Sequence, residues 1–169
     1  RVQSVTWEAE GILSFLLVHP EDQPLPPVEA GAHVDIRLPG GLSRRYSLCN
    51  APGETRHYQV AVLLVPDSRG GCRAMHEKVR PGDLLEVSPP HNFFPLDENA
   101  EMSVLLAGGI GITPLLAMAQ RLLQLGRPFR LYYCTTSPAR TAFAARLAPL
   151  VADGVVRIHH DGGDPRQGL

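Results

Sequence analysis

Apolar positions in the first half of the chain recur with a period of two. Val34-Asp35-Ile36-Arg37-Leu38 alternates, Pro39-Gly40-Gly41 turns the chain, and Tyr46-Ser47-Leu48 resumes extended structure. Across residues 57–65, Tyr58, Val60, Val62 and Leu64 fall on one face, and Gln59, Ala61, Leu63 and Val65 on the other. A strand apolar on both faces fits the wall of a closed barrel that also packs outward. Leu84-Leu85-Glu86-Val87 predicts a further short strand after the Pro81-Gly82-Asp83 turn, and one or two helical turns fit residues 73–79. Strands this short and regularly punctuated point to a small antiparallel barrel.

The second half changes period. Val104-Leu105-Leu106-Ala107 is an unbroken apolar run, the pattern of a strand buried on both faces. Leu115, Met118, Ala119, Leu122 and Leu123 mark one face of a helix that stops at Gly126. Residues 129–134 read as a second strand, 141–151 as a second helix ended near Gly154, and 155–159 as a third strand. The order β-α-β-α-β implies a parallel sheet with right-handed crossovers. The pattern switches at Pro95-Leu96-Asp97-Glu98, which divides the chain into a barrel over residues 1–96 and an α/β domain over 97–169. The chain opens in what reads as strand and ends at Gln167-Gly168-Leu169 with no closing element, so the second domain reads as incomplete. There is no internal repeat and no low-complexity tract.

Composition narrows the classes. Of 169 residues, 44% are hydrophobic, enough to bury a real core. The net charge of −1, with the signs interspersed, argues against a nucleic-acid binder, which needs a basic surplus on one face. No apolar stretch reaches the roughly twenty residues of a membrane helix, and no basic-then-apolar leader opens the chain. Cys49, Cys72 and Cys134 are sparse, and no two lie within four residues of each other. They make neither a disulfide framework nor a zinc knuckle nor a plant-type iron–sulfur loop, and a reducing cytoplasm is the expected setting. Adjacent histidines on a strand point to opposite faces, so His159-His160-Asp161 is not read as a metal site. His33, His57, His76 and His91 are scattered surface or core groups.

Three stretches carry candidate chemistry. Gly108-Gly109-Ile110-Gly111-Ile112-Thr113-Pro114 joins a buried strand to a helix. Thr113 suits the N-cap and Pro114 the first helical position, leaving N–H groups and a partial positive charge to face a pyrophosphate. Pro114 replaces the third glycine of the common dinucleotide motif, and a plain tight turn is the alternative. In Arg44-Arg45-Tyr46-Ser47, an arginine can hold a phosphate with two hydrogen bonds, a tyrosine can lie against a flat ring, and a serine hydroxyl can bond to a ring heteroatom. Alternation puts Arg44 and Tyr46 on one face, Arg45 and Ser47 on the other; a solvent-facing strand is the bland alternative. Gly70-Gly71-Cys72 leads into a helical turn and can offer N–H groups to a phosphate. Otherwise it is a hairpin loop opened by Asp67-Ser68-Arg69.

Together, Arg44-Arg45-Tyr46-Ser47-Leu48-Cys49-Asn50, Gly70-Gly71, Asn92-Phe93-Phe94-Pro95-Leu96 and Leu106-Ala107 running into the Gly108–Pro114 turn resemble the ferredoxin–NADP reductase superfamily. Within it they resemble the phthalate dioxygenase reductase and vanillate demethylase reductase group, and His159-His160-Asp161 falls where that group has a similar stretch. The resemblance runs in order along almost the whole chain. It implies a small antiparallel flavin-binding barrel followed by an incomplete parallel-sheet domain for a nicotinamide nucleotide. It implies FMN rather than FAD. By position, Arg44 then holds the FMN phosphate, with Gly71 and Cys72 cradling it, and Tyr46 and Ser47 meet the isoalloxazine, the serine near N5. Ala61 and Val62 meet the ring edge through their backbone. Gly109, Gly111 and Thr113 line the place where nicotinamide and flavin meet, and Thr135 and Ser137 lie near the adenosine end. Arg45 and Gly70 belong to the same two flavin motifs, and Ser47 and Thr113 are the candidate catalytic residues.

The departures from the family pattern bear on detail. Cys72 stands where the group has serine, which shifts the phosphate contact towards backbone. Thr136 and Ser137 replace an arginine followed by an acid. The acid would read a ribose hydroxyl, so the reading leans to NADH, while Arg140 leaves NADPH open. No Cys-Gly-Pro segment and no ferredoxin-like domain is matched, so a [2Fe–2S] cluster belongs to a segment or partner outside these residues. The implied activity is NAD(P)H-dependent electron transfer through FMN to an iron–sulfur centre, as in the reductase component of an aromatic-ring oxygenase or demethylase. The alternative from another class is a flavin-binding redox module without reductase turnover; such a module would not need the Gly108–Pro114 turn.

Overall fold

A tight turn at Glu10-Gly11 folds the chain back on itself at once. Gly11 sits at φ +73°, a conformation that suits a residue without Cβ. The strands of this half are β1 (Val2–Ala9), β2 (Ile12–Leu17), β3 (His33–Arg37), β4 (Ser43–Ser47), β5 (Tyr58–Leu63) and β6 (Glu86–Val87), with helix α1 (Gly71–Lys78) between the last two. They form two antiparallel sheets of three strands, ordered β1-β2-β5 and β4-β3-β6. A bridge between Leu48 and Val60 joins the two sheets. The computed structural model describes residues 1–68, 70–164 and 166. Arg69 of the expected hairpin loop and the terminal Gln167-Gly168-Leu169 lie outside the described residues.

One core fills the space between these sheets. Phe15, Val34, Ile36, Leu48 and Val60 are fully buried, and Ala74 and Met75 of α1 plug the end of the barrel. The two-faced pattern of β5 is realised. Tyr58, Val60 and Val62 point into the barrel core, whereas Ala61 and Leu63 pack outward against the second half of the chain. Leu64 and Val65 fall beyond the strand and are partly exposed. The strand expected over residues 84–87 shrinks to Glu86–Val87, and Leu84 is 71% exposed. The turn before it is tied to β1 instead, since Val2 N–H donates to the Asp83 carbonyl at 2.8 Å and Gly82 N–H to that of Val2 at 2.8 Å. Only Ile36 and Arg37 of β3 remain as partners for the strand.

The second half is a parallel sheet in the order β7 (Ser103–Gly108), β8 (Phe129–Thr135), β9 (Val156–His160). Helices α2 (Ile112–Leu125) and α3 (Ala144–Ala152) make the crossovers. β7 is not buried on both faces as its apolar run suggests. Leu105 and Ala107 are buried, but Val104 is 59% and Leu106 66% exposed. Right-handed crossovers that progress one way along a sheet put both helices on the same side. Leu105, Leu131, Tyr133 and Val156 meet them there, together with Leu115, Leu122 and Leu147. α3 begins three residues later than its pattern suggests. Pro138–Arg140 forms a 3-10 turn first, and Phe143 takes φ +60° to enter the helix with its ring buried.

The two halves share a second core. Ala9, Ile12, Ala30, Cys49 and Ala61 of the barrel belong to the same buried cluster as Leu105, Ile112, Tyr133 and Phe143. Arg146 of α3 reaches across and donates to the Cys49 carbonyl at 2.8 Å and to Gln59 Oε1 at 3.3 Å. Among the described residues no helix is long and apolar enough to cross a membrane.

Candidate functional site

Two places on the molecule collect the residues that the sequence singles out. The first is where β4 faces the start of α1. Gly70, at φ +84°, swings the chain into the helix with no side chain capping its N-terminus. The first N–H groups of α1 therefore present a donor-rich, partly positive end. Arg44 packs on Gly71 so closely that a Cβ there would lie 2.8 Å from both Cγ and Nε of the arginine. Arg44 also donates from Nη1 to the Ser43 carbonyl at 2.8 Å. Guanidinium and helix end thus converge, and Gly71 leaves no room for a side chain between them.

Cys72 lies within this cradle. Burial pushes its thiol up, but the Ser68 hydroxyl and the N–H groups of Val65, Arg73 and Cys72 itself outweigh that and hold it below its ordinary value. The Sγ lies 2.9 Å from Ser68 Oγ and accepts from Val65 N–H at 3.3 Å. Tyr46 shares the arginine's face of β4, packed against the barrel core. Burial, then the neighbouring Cys72, pushes its phenol up to about 12.

Arg45 and Ser47 occupy the opposite face, as alternation requires. Arg45 Nε is 3.5 Å from Asp35 Oδ1, and its guanidinium lies 5.5 Å from the centre of the Phe93 ring. It is therefore not part of the Arg44–Gly71 cradle. Ser47 pairs with His33 across the strands at the end of β4. Ala61 and Val62 pair with Ser14 and Leu13, and the Val62 carbonyl is 2.9 Å from His76 Nε2.

The second place is a crevice of about 220 Å³ outside the C-terminal ends of β7, β8 and β9. Gly108, Gly109 and Ile110 line one side, Cys134, Thr135, Thr136, Arg140 and Asp161 another, and Glu10, Ile12 and Leu63 of the barrel close it. Open α/β sheets bind ligands in this position. The glycine turn runs as a 3-10 turn over Gly109–Gly111 and packs against β5, so the Ala61–Leu63 stretch and the turn meet. Gly111, not Thr113, is the N-cap of α2. Thr113 stands within the first helical turn, buried, and its hydroxyl donates back to the Ile110 carbonyl at 3.1 Å. The three-residue 3-10 turn advances the helix start and displaces the threonine from the cap.

Thr135 Oγ1 is bound within a buried knot, 2.9 Å from Thr141 Oγ1 and 2.9 Å from His160 Nδ1. Ser137 is not among the residues lining the crevice. Its carbonyl accepts from Thr135 Oγ1 at 3.2 Å and Thr141 Oγ1 at 3.0 Å, closing the turn after β8. Sequence reasoning missed the barrel wall of this crevice. Glu10, Ile12 and Leu63 carry no local signature; they arrive through the β1–β2 hairpin and the end of β5. Among the described residues no group of three or more His, Cys, Asp or Glu side chains is placed to hold a metal.

No protein-family model matches the chain. It is 50% identical over 161 residues to the vanillate O-demethylase oxidoreductase of Pseudomonas sp., covering 95% of this chain and 51% of that protein. It is 48% identical over 158 residues to the phthalate dioxygenase reductase of Burkholderia cepacia, covering 93% and 49%. Among solved structures, phthalate dioxygenase reductase, described as a modular structure for electron transfer from pyridine nucleotides to [2Fe–2S], superposes with a TM-score of 0.95 at 45% identity. That superposition covers all of this chain and 53% of the other. The chain spans about half the length of each of these relatives.

Proposed function

This chain belongs to the ferredoxin–NADP reductase superfamily, in its phthalate dioxygenase reductase and vanillate demethylase reductase group, and on that premise we propose that it is the flavin-binding and nucleotide-approach part of an electron-transfer reductase. The observation that carries the reading is the close approach of Arg44 to a Cβ-less Gly71 at the uncapped start of α1. A phosphate needs such a cradle, and a plain structural turn does not. Bound there, a flavin accepts two electrons from a nicotinamide and releases them singly.

The residues present bind, orient and exclude water. Arg44 and the N–H groups of Gly71 and Cys72 would hold the phosphate of FMN. Tyr46, on the arginine's face, would offer the ring an apolar surface, and the family pattern would add the Ser47 hydroxyl, on the opposite face at the end of β4, and the backbone of Ala61 and Val62. The Gly109–Gly111 turn has nothing within 4 Å of where a Cβ on Gly109 or Gly111 would lie. A flat nicotinamide can therefore approach backbone there. Thr113 holds this turn in shape through Ile110, a positioning role and not a proton-transfer one. No acid/base pair is required, because the two rings need only stacking at contact distance and shelter from solvent. Residues 1–96 supply the flavin half and 97–169 the start of the nucleotide half. The acceptor is an iron–sulfur centre in a partner oxygenase component or in another part of the protein.

The test is an absorbance spectrum of the complete protein supplied with FMN or FAD, then anaerobic addition of NADH or NADPH. The reading requires a bound-flavin spectrum with FMN that bleaches on adding the nucleotide. Bound flavin that neither nucleotide bleaches would leave a redox module without turnover, and no bound flavin would defeat the reading. Arg44→Ala is expected to weaken FMN binding at least about tenfold; unchanged affinity would move the phosphate elsewhere.

A further inference from the structure

We propose that Glu10, on the barrel hairpin, selects against a 2′-phosphate on the nucleotide and so makes NADH the preferred donor; this rests on the nucleotide reading above. After β8 the chain runs Thr135-Thr136-Ser137-Pro138-Ala139-Arg140, with neutral hydroxyls at Thr136 and Ser137. No acid on that strand end is placed to read a ribose, so a choice between the two nucleotides would have to be made elsewhere. Arg140 is the one guanidinium lining the crevice among the described residues. It would be the natural receptor for a 2′-phosphate.

Glu10 competes for that guanidinium. Its Oε1 lies 3.5 Å from Arg140 Nη2. The contact is not left to two free side chains, because Glu10 N–H donates to the Ala139 carbonyl at 2.8 Å. That bond fixes the hairpin against the turn that carries Arg140. Gly11, at φ +73°, makes the hairpin sharp enough to present residue 10 there. Asp161 adds a second carboxylate at the end of β9, where its N–H donates to the Thr135 carbonyl at 3.1 Å.

Among the described residues, the charged groups lining the crevice are thus two carboxylates and one guanidinium. A phosphomonoester adds a charge approaching about −2 at neutral pH, and it would enter a region that is already net negative. A 2′-hydroxyl, by contrast, can donate to a carboxylate. Discrimination here is built mainly as repulsion across the two halves of the molecule, not as a contact made on the nucleotide domain alone.

The experiment compares adenosine 5′-monophosphate with adenosine 2′,5′-bisphosphate, which differ only in that phosphate. Binding of each to the complete protein is measured by titration calorimetry, alongside flavin reduction by NADH and NADPH. The natural protein is expected to favour the monophosphate and NADH. Glu10→Gln, which keeps the backbone bond to Ala139, is expected to shift the affinity ratio towards the bisphosphate about tenfold. Adding Arg140→Ala should abolish that gain. A ratio that does not move in Glu10→Gln, with both compounds bound, overturns the proposal and leaves the nucleotide site intact. So does a natural protein that prefers the bisphosphate and loses it on Arg140→Ala. Failure of both compounds to bind overturns the nucleotide reading itself.

Discussion

At the scale of single residues, the proposed phosphate cradle depends on what is missing as much as on what is present. A methyl group on Gly71 would press on Arg44, a side chain that can yield. Gly71→Ala is therefore expected to lower FMN affinity by about tenfold while leaving the melting temperature little changed, measured by fluorescence titration and thermal melting. Cys72 contrasts with it. Where backbone N–H groups hold the phosphate, Cys72→Ser should alter FMN affinity by less than about threefold. Three tyrosines set an alkaline limit. Burial pushes Tyr46, Tyr58 and Tyr133 each up to about 12. A phenol whose value is raised on folding contributes stability that is complete below its unfolded value of about 10 and is lost as pH rises through the folded one. Circular dichroism should accordingly show the protein losing stability between about pH 10 and 12, and the phenolate absorbance of these three tyrosines should appear together with unfolding.

At the scale of elements, patterns that depend only on neighbours in sequence were readable. The alternation across β5 gave its two buried faces, and the helical spacing from Leu115 to Leu123 gave α2 with its stop at Gly126. Patterns that depend on what lies opposite were not. Val104-Leu105-Leu106-Ala107 reads as buried because four apolar residues carry no information on which face a crossover helix will take. Phe143 at φ +60° and the 3-10 turns before α2 and α3 likewise arise from packing, so Thr113 could not be told from a cap. The two faces of the sheet should respond differently to substitution. Leu131→Ala, in the buried layer, is expected to cost about 2–5 kcal/mol. Leu106→Thr, on the open face of β7, should stay within about 0.5 kcal/mol. Urea denaturation of the two variants measures both.

At the scale of the whole molecule, the Arg44–Ser47 strand and the Gly70-Gly71 turn could be singled out from sequence because each is short and local. The crevice could not be completed from sequence, because one wall belongs to a hairpin over a hundred residues away from the turn it meets. Arg146 belongs to the same long-range class. It leaves α3 to bond the Cys49 carbonyl, two residues past Ser47. Arg146→Met would strip a partner from that buried carbonyl, at an expected cost of about 1–3 kcal/mol. The buried cluster that runs from Ala9, Ile12 and Ala61 into Leu105 and Tyr133 has a practical consequence for anyone wishing to swap parts between members of this family. A splice at the polar Pro95–Glu98 stretch looks convenient, yet it would pair each half with a foreign surface. A working chimera would have to carry the outer residues of the β1–β2 hairpin and of β5 along with the parallel sheet they were shaped against.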